Sequence, residues 1–325
     1  MHDIGIDLGT TNILIYINNK GIVLNEPSMI AKNTKTNKII AIGTAAKEML
    51  GKTPDDVEII RPMKDGVIAD FDLTEELLKS FIKKVKPKRI SKPNILICSP
   101  STITSVEKNA LIEIAERLGA KKVYIEEEPK VAAIGAGIDI FKPTGSMIVD
   151  IGGGTTDIAV LSLGQIVRSS SIKIAGNAFN DDIISYIKDK YKVVIGEQTV
   201  EEIKIEIGTV IKKKLKTKEI IGRSIDNGLP ETIMVTNNDI EESLKNDVKK
   251  IITEIKDILE QTPPELVKDI KEKGLLLTGG SSLIDGMVEK LRKDLKIPIF
   301  ISENPLTNVI EGTGYLLNNI NLIEY

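Results

Sequence analysis

Short apolar runs broken by glycine turns recur along this chain. Met147 to Val149 and Ile158 to Leu161 flank Gly152, Gly153, Gly154, Thr155 and Thr156. Two apolar runs around a glycine turn predict a β-hairpin. The N-terminal stretch from Ile4 to Ile17 repeats the pattern: apolar residues, Asp7, Leu8, Gly9, Thr10, Thr11, Asn12, then an alternating apolar strand. Asp150 follows Asp7 by 143 positions (150 minus 7). One hairpin written twice predicts a duplicated lobe, with two loops facing each other.

Between and beyond the hairpins the pattern alternates strand and helix. A strand with a break at Pro27 spans Gly21 to Ala31, Lys32 to Lys38 is a polar turn, Ile39 to Ile42 a strand and Ala45 to Leu50 a short helix. Residues 60–70 read as a loop before a helix capped by Asp72 or Thr74, with Leu77, Leu78, Phe81 and Ile82 at helical spacing. Asn94 to Cys98 is a strand. A helix capped by Thr104 or Ser105 stops at Gly119. Val123 to Ile125 is a strand ending in Glu126, Glu127, Glu128 and Pro129, before a small-residue helix from Val131 to Gly137. After the second hairpin come a strand from Gln165 to Ile174 and a helix from Gly176. Thr199 and Glu202 read as a capping box opening a helix with Ile203, Ile207 and Ile211, which puts Glu201 and Lys204 on one face. Ile220 to Val235 is a hairpin turning at Asn227 and Gly228, and Asp239 starts a long amphipathic helix ended by Thr262 and two prolines. Gly274 to Gly286 is a strand, a Gly-rich turn and a helix start; Ile297 to Ile301 is a strand, and Asn308 opens a terminal helix.

Composition narrows the function classes. The 325 residues allow about two domains of ~100–200 residues. Apolar content of 41% and charged content of 28% are those of a soluble globular protein. The net charge of −3 offers no basic field for nucleic acid. Cys98 is the only cysteine, which excludes an intramolecular disulfide and fits a reducing cytoplasm; its apolar surroundings predict a buried thiol. His2 is the only histidine, so histidine catalysis is absent. No run approaches the ~18 apolar residues of a membrane span, and the N-terminus enters a strand too soon for a signal peptide. Six of the ten residues from Lys83 to Lys92 are basic. Such a run is a solvated loop or a contact for anionic lipid or an acidic partner.

The turns carry the chemistry. A Gly/Thr turn aims backbone N–H groups at a ligand and makes a nest for phosphate oxygens. Asp150 at its lip would repel phosphate unless a divalent cation, Mg²⁺ with its waters, lies between them. Glu126 to Glu128 sit at the carboxyl end of a strand, where α/β folds hold ligands. The turn at Gly279 and Gly280 is a third such loop and can hold a nucleoside.

These motifs resemble the actin-like ATPase superfamily and, within it, the MreB/Mbl family of bacterial cell-shape proteins. The resemblance covers nearly the whole chain: DLGTTN, GIVLNEPS, RPMKDGVIADFD, EEPKVAAIGAG, PTGSMIVDIGGGTTDIAVLSLG, EEIKIEIG, QTPPEL, LLTGGSSLIDGM and EGTG. It implies an α/β, actin-like fold of two RNase H-like lobes, each with an inserted subdomain, and nucleotide in the cleft between them. The corresponding division is 1–144 plus 312–325 for the first lobe (small subdomain about 32–60) and 145–311 for the second (small subdomain about 181–240). The resemblance further implies binding of ATP and ADP with Mg²⁺, hydrolysis, and self-association into filaments of paired protofilaments in the cytoplasm. A nucleotide-binding scaffold with little turnover and a small-molecule kinase of the same fold are the alternatives. Carried over by position, Thr10, Thr11 and Asn12 form one phosphate loop, and Gly152, Gly153, Gly154 and Thr155 the other. Asp7 and Asp150 hold Mg²⁺ through water, while Glu128 and Thr155 place the attacking water. Glu201, Glu202 and Lys204 contact the nucleoside from a helix, and Gly279, Gly280, Ser281, Ser282 and Leu283 form the adenosine loop. The chain departs from the family pattern at Thr11, Glu126 and Lys130. Membrane contact, which some relatives make through an amphipathic N-terminus or an apolar loop tip, would here rest on Lys83, Lys84, Lys86, Lys88, Arg89 and Lys92.

Overall fold

The structure, a computed structural model, describes residues 3–85 and 92–323. Period-two apolar alternation makes the first hairpin: Ile4, Ile6 and Leu8 in β1 (Ile4–Leu8) and Ile13, Ile15 and Ile17 in β2 (Asn12–Ile17) are all buried. The chain continues through β3 (Gly21–Pro27), β4 (Ile30–Asn33), β5 (Ile39–Ile42), α1 (Thr44–Glu48), β6 (Val57–Ile60), β7 (Met63–Lys64), β8 (Val67–Ile68), α2 (Phe71–Val85), β9 (Asn94–Ser99), α3 (Ser105–Arg117), β10 (Lys122–Glu127) and α4 (Glu128–Gly135). The second half repeats the plan with β11 (Ser146–Ile151), β12 (Thr156–Ser162), β13 (Gln165–Ile172), α5 (Gly176–Tyr191), β14 (Val193–Val194), α6 (Glu197–Ile207), β15 (Thr217–Ser224), β16 (Pro230–Thr236), α7 (Asn237–Gln261), α8 (Pro264–Lys273), β17 (Leu275–Thr278), α9 (Met287–Leu295), β18 (Ile299–Ile301) and α10 (Asn308–Asn318).

The duplication is visible in the sheets. One runs β3-β2-β1-β9-β10 and the other β13-β12-β11-β17-β18. In each, three consecutive strands form an antiparallel meander, and two later strands add in parallel beside the first. This is the RNase H-like order expected of both lobes. Each sheet has its own core: Phe81, Leu77 and Ile114 pack under the first, Phe179, Ile183 and Ile251 under the second. A third cluster lies between the sheets, where Leu96 and Cys98 meet Ile148, Ala159 and Leu161 through α4 and α10. Smaller sheets, β5-β4-β6 and β14-β15-β16, are inserted after the meanders. Among the described residues no helix is long and apolar enough to cross a membrane.

Several local expectations change. Residues 60–70 are not a plain loop: β7 and β8 form a tight hairpin. Its central pair, Asp65 (φ 52°) and Gly66 (φ 78°), has the two positive φ values of a type I′ turn. Asp70, not Asp72 or Thr74, caps α2: its Oδ1 accepts the Leu73 N–H at 3.0 Å, and Thr74 donates back to the Asp70 carbonyl. Thr199 caps nothing, because α6 already turns at Gly196, whose carbonyl accepts the Val200 N–H at 3.1 Å. The helix stops at Ile207, short of Ile211. Thr236 caps α7 in a box with Asp239, so the helix starts at Asn237, two residues before the expected start. Within the basic run, residues 86–91 lie outside the described residues; Lys84 is paired with Glu26 at 3.2 Å.

The helices α4 and α10 cross at glycines. A Cβ at Gly135 would lie 1.9 Å from the Asn308 carbonyl oxygen, and one at Gly312 would lie 2.0 Å from that of Val131. Backbone cannot yield as a side-chain tip can. Gly135→Ala and Gly312→Ala are each expected to cost about 2 kcal/mol by overpacking, read by chemical denaturation. A change within about 0.5 kcal/mol would show that this crossing does not set the seam.

Candidate functional site

The two loops written by the repeated hairpin touch. A Cβ at Gly153 would lie 1.9 Å from Thr11 Oγ1, and one at Gly154 would lie 2.4 Å from Thr10 Oγ1. Only glycine lets the loops approach this closely. The second loop is gripped from behind. Gly152 donates its N–H to the Thr155 carbonyl at 2.9 Å. The Gly152 carbonyl accepts from Ser281 Oγ at 2.7 Å and the Gly176 N–H at 3.2 Å, and the Gly153 carbonyl accepts the Asn177 N–H at 2.8 Å. In a trans peptide the N–H points opposite the C=O. The N–H groups of Gly153 and Gly154 are therefore turned away from α5. The first loop is braced by Ser28, which donates through Oγ to the Gly9 carbonyl and through N–H to that of Thr11. The tip of the β7–β8 hairpin completes the brace, with the Gly66 N–H donating to Thr10 Oγ1 at 2.8 Å. Asn12 is held sideways by Asn25.

Beneath the loops lie four acids. Asp7 and Asp150 occupy equivalent places near the ends of β1 and β11, Glu128 opens α4, and Asp157 stands on β12 directly opposite Asp150. Burial pushes the Asp7 carboxyl up to about 7. Burial, then the charges of Asp157 and Asp7, push Asp150 up to about 8. Glu128 is raised well above the usual carboxylate range by burial, then by Asp157, Asp7 and Asp150. Among the described residues no cation stands among these influences, and the donor set is one of hard oxygens that suits Mg²⁺. Among the described residues no three acidic, His or Cys side chains converge into a direct metal cage, so a cation here would keep its waters. Of the three consecutive glutamates, only Glu128 shares this field with Asp7 and Asp150. Glu126 pairs with Lys130 at 2.9 Å, both nearly buried, and Glu127 is raised by burial and by Glu126. Two departures from the family pattern are thus one ion pair.

On the other side of the glycine loop, Lys204 is 8% exposed and ties α5 to α6. Its Nζ donates to Glu201 at 2.7 Å, Asn180 at 2.9 Å and the Gly176 carbonyl at 3.3 Å. Burial raises the Glu201 carboxyl, but Lys204 and Asn180 hold it below the usual range. Glu202 does not join them. It is exposed on the next face of the helix, 3.7 Å from Lys218. Gly279 packs against Asp150, and Ser281 and Ser282 fold the short 3₁₀ turn Gly280–Leu283 onto the second loop. Gly280 and Leu283 are exposed. At the outer end the small sheet region meets α6: Arg61 pairs with Glu197 at 2.5 Å, and Gln198 Nε2 donates to the Lys47 and Leu50 carbonyls.

Sequence reading missed Ser28, Gly66 and Asp157. The Asp65-Gly66 dipeptide is a hairpin signal that was available. An acid heading an apolar run, as Asp157 does, also signals a buried polar group that needs partners.

Comparison with known proteins agrees across the whole chain. The family model for the MreB/Mbl protein matches residues 1–325. The chain is 55% identical over 320 residues to the cell shape-determining protein Mbl of Bacillus cereus (strain ATCC 10987 / NRS 248), covering 98% of this chain and 96% of that protein. It is 44% identical over 328 residues to the cell shape-determining protein MreB of Escherichia coli (strain K12), covering 99% and 94%. The crystal structure of MreB5 of Spiroplasma citri bound to AMPPNP superposes with a TM-score of 0.94 at 43% identity, covering 98% of this chain and 96% of that one; the same protein bound to ADP gives the same figures.

The acid cluster sets a pH dependence. Asp7 and Asp150 hold protons in the folded chain that they lose near pH 3.8 when unfolded. The folded state binds more protons between the unfolded and folded values, so stability of the nucleotide-free protein falls as pH rises from about 4 to about 8. Thermal unfolding across that window measures it, and Asp150→Asn should flatten the slope. A wild-type profile that is flat or rises contradicts the cluster.

Proposed function

The chain belongs to the MreB/Mbl family of bacterial actin-like proteins, and we propose that it is an ATPase of that family. It binds ATP with Mg²⁺ in the cleft, polymerises into filaments and hydrolyses the γ-phosphate, serving cell shape or force generation on the cytoplasmic side of the membrane. The observation that carries this reading is the meeting of two glycine/threonine loops over Asp7, Asp150 and Glu128. Crystal structures of the Spiroplasma citri relative with AMPPNP and with ADP support a nucleotide there. Filament formation rests on family membership. The lobe division at 144/145 and 311/312, and contact of Lys83–Lys92 with an anionic membrane surface, belong to the same proposal.

Phosphoryl transfer to water needs placed donors, a placed nucleophile and charge neutralisation more than covalent chemistry. In this reading the backbone N–H groups of Gly153 and Gly154 and the hydroxyls of Thr10 and Thr11 receive the phosphate oxygens. Asp7 and Asp150 would hold Mg²⁺ through water, and the ion would supply the positive charge that matches their ionised carboxylates. Glu128 then orients the attacking water and takes its proton. A carboxyl whose proton affinity is raised by burial is a stronger base once ionised. Glu201 and the turn at Gly279 to Ser282 bound the nucleoside side.

Phosphate release and pelleting with ATP and Mg²⁺ test the reading together. The wild type should pellet as filaments and release phosphate. Glu128→Gln should lower turnover by about 100-fold while still binding nucleotide. Equal rates in wild type and Glu128→Gln would remove Glu128 from the role. A wild type that releases no phosphate would leave a nucleotide-binding scaffold, and one that binds no nucleotide would overturn the proposal.

A further inference from the structure

Lys204 carries a charge and is nearly buried, while its partner Glu201, one turn back on α6, has a side chain 43% exposed. An ammonium offers three hydrogens and accepts none. All three are taken: Nζ donates to Glu201 Oε2 at 2.7 Å, to Asn180 Oδ1 at 2.9 Å and to the Gly176 carbonyl at 3.3 Å. Resemblance by position assigns Lys204 to the nucleoside. The geometry leaves it no hydrogen to give. A direct contact would break one of these bonds and leave a buried acceptor or donor unpaired.

The bonds of Lys204 lead to two places. The first is Glu201. Its Oε2 also accepts from Asn180 Nδ2 at 3.0 Å, so that oxygen is held from two sides. Glu201 follows Glu197 by four residues and Gln198 by three, which puts it on the helix face that reaches Arg61 and the Lys47 and Leu50 carbonyls. Its other oxygen, Oε1, is therefore presented on the cleft side of α6. The second place is the glycine loop. Gly176 opens α5, and its carbonyl shares a peptide plane with the Asn177 N–H. Lys204 holds one edge of that plane, and the opposite edge donates to the Gly153 carbonyl at 2.8 Å. The Gly153 carbonyl in turn shares its plane with the Gly154 N–H, on the opposite edge. A cation at one end of such a chain polarises each bond along it.

We propose that Lys204 is a positioning residue that touches no part of the nucleotide. Through Glu201 it aims the open oxygen at a nucleoside hydroxyl, a task Asn180 shares. Through the Gly176–Asn177 and Gly153–Gly154 peptides it fixes and polarises the N–H that receives a phosphate oxygen. One buried ammonium thus sets both ends of the nucleotide site. This deepens the ATPase reading and rests on it.

A double-mutant cycle on the full chain, read by phosphate release over a range of ATP with Mg²⁺, tests the inference. Glu201→Ala should raise KM for ATP about tenfold and leave kcat within about twofold. Lys204→Met keeps the length of the side chain. It should raise KM about tenfold and also lower kcat about fivefold, because the Gly154 N–H loses its support. In the Glu201→Ala background Lys204→Met should still lower kcat but raise KM no more than about twofold further, because the acid it aims is gone. A lysine in direct contact with the nucleoside would raise KM at constant kcat, and that result overturns the proposal. A merely structural lysine would change KM by the same factor in both backgrounds, which overturns it equally. Should Lys204→Met fail to fold, Asn180→Ala decides. A KM raised about threefold in the wild-type background and unchanged in Glu201→Ala supports the shared brace; the same factor in both, or none in either, overturns it. A wild type without phosphate release overturns the ATPase reading itself and the inference with it. An active wild type with kcat unchanged by Lys204→Met overturns the inference alone.

Discussion

The carboxyl groups of Asp7, Asp150, Glu128 and Asp157 are buried near one another, and among the described residues no cation stands among the influences on their ionisation. Like charges taken out of water cannot all ionise without a counter-charge. That constraint organises what surrounds them. The glycine loops adjoin the acids, with N–H groups turned out of the scaffold, and in the proposed function the place receives something both anionic and accompanied by positive charge. A metal-bound polyphosphate has both properties. Without a counter-charge, burial favours the protonated carboxyls of Asp7 and Asp150.

The repeat explains how so small a set of residues becomes a site. Each hairpin alone delivers one acid and one loop from the end of a sheet. Two copies, packed back to back through α4 and α10, bring the loops into contact. The two ends of the cleft are held differently. At its base, the seam buries Leu96, Ile148, Leu161, Ile134 and Leu316 among others, each worth about 1.5–3 kcal/mol. At its mouth, Arg61 and Glu197 have side chains 31% and 44% exposed, and such a pair is worth about 0–1 kcal/mol. Opening the mouth is therefore far cheaper than parting the base.

Most of the architecture was legible because it rests on local rules. The duplicated hairpin, a cap for α3 at Thr104 or Ser105 (Thr104 in the structure), the C-terminal glycine at 119 and the Asn227-Gly228 turn need only neighbours in sequence. The failures have a common cause. Asp70, Asp72 and Thr74 are all chemically able to cap α2, and Thr199 with Glu202 has the letters of a box; tertiary packing of Val200 and Ile203 started that helix a turn earlier. The site divided the same way. Asp7, Asp150 and the glycine loops announce themselves by repetition. Glu202 was included by adjacency and turns outward. Asp157 was passed over because it comes to lie opposite Asp150, buried, only once the hairpin closes. The Glu126–Lys130 pair was hidden because it spans a strand-to-helix junction, with Glu126 in β10 and Lys130 in α4.

Calorimetric titration of the nucleotide-free chain with ATP, with and without Mg²⁺, bears most directly on the cleft. One site per chain is expected, with affinity at least about tenfold higher when Mg²⁺ is present, because only then is the charge of Asp7 and Asp150 matched. Binding of equal strength without the cation, or no binding at all, would contradict the idea that the acids and the facing loops form a single site.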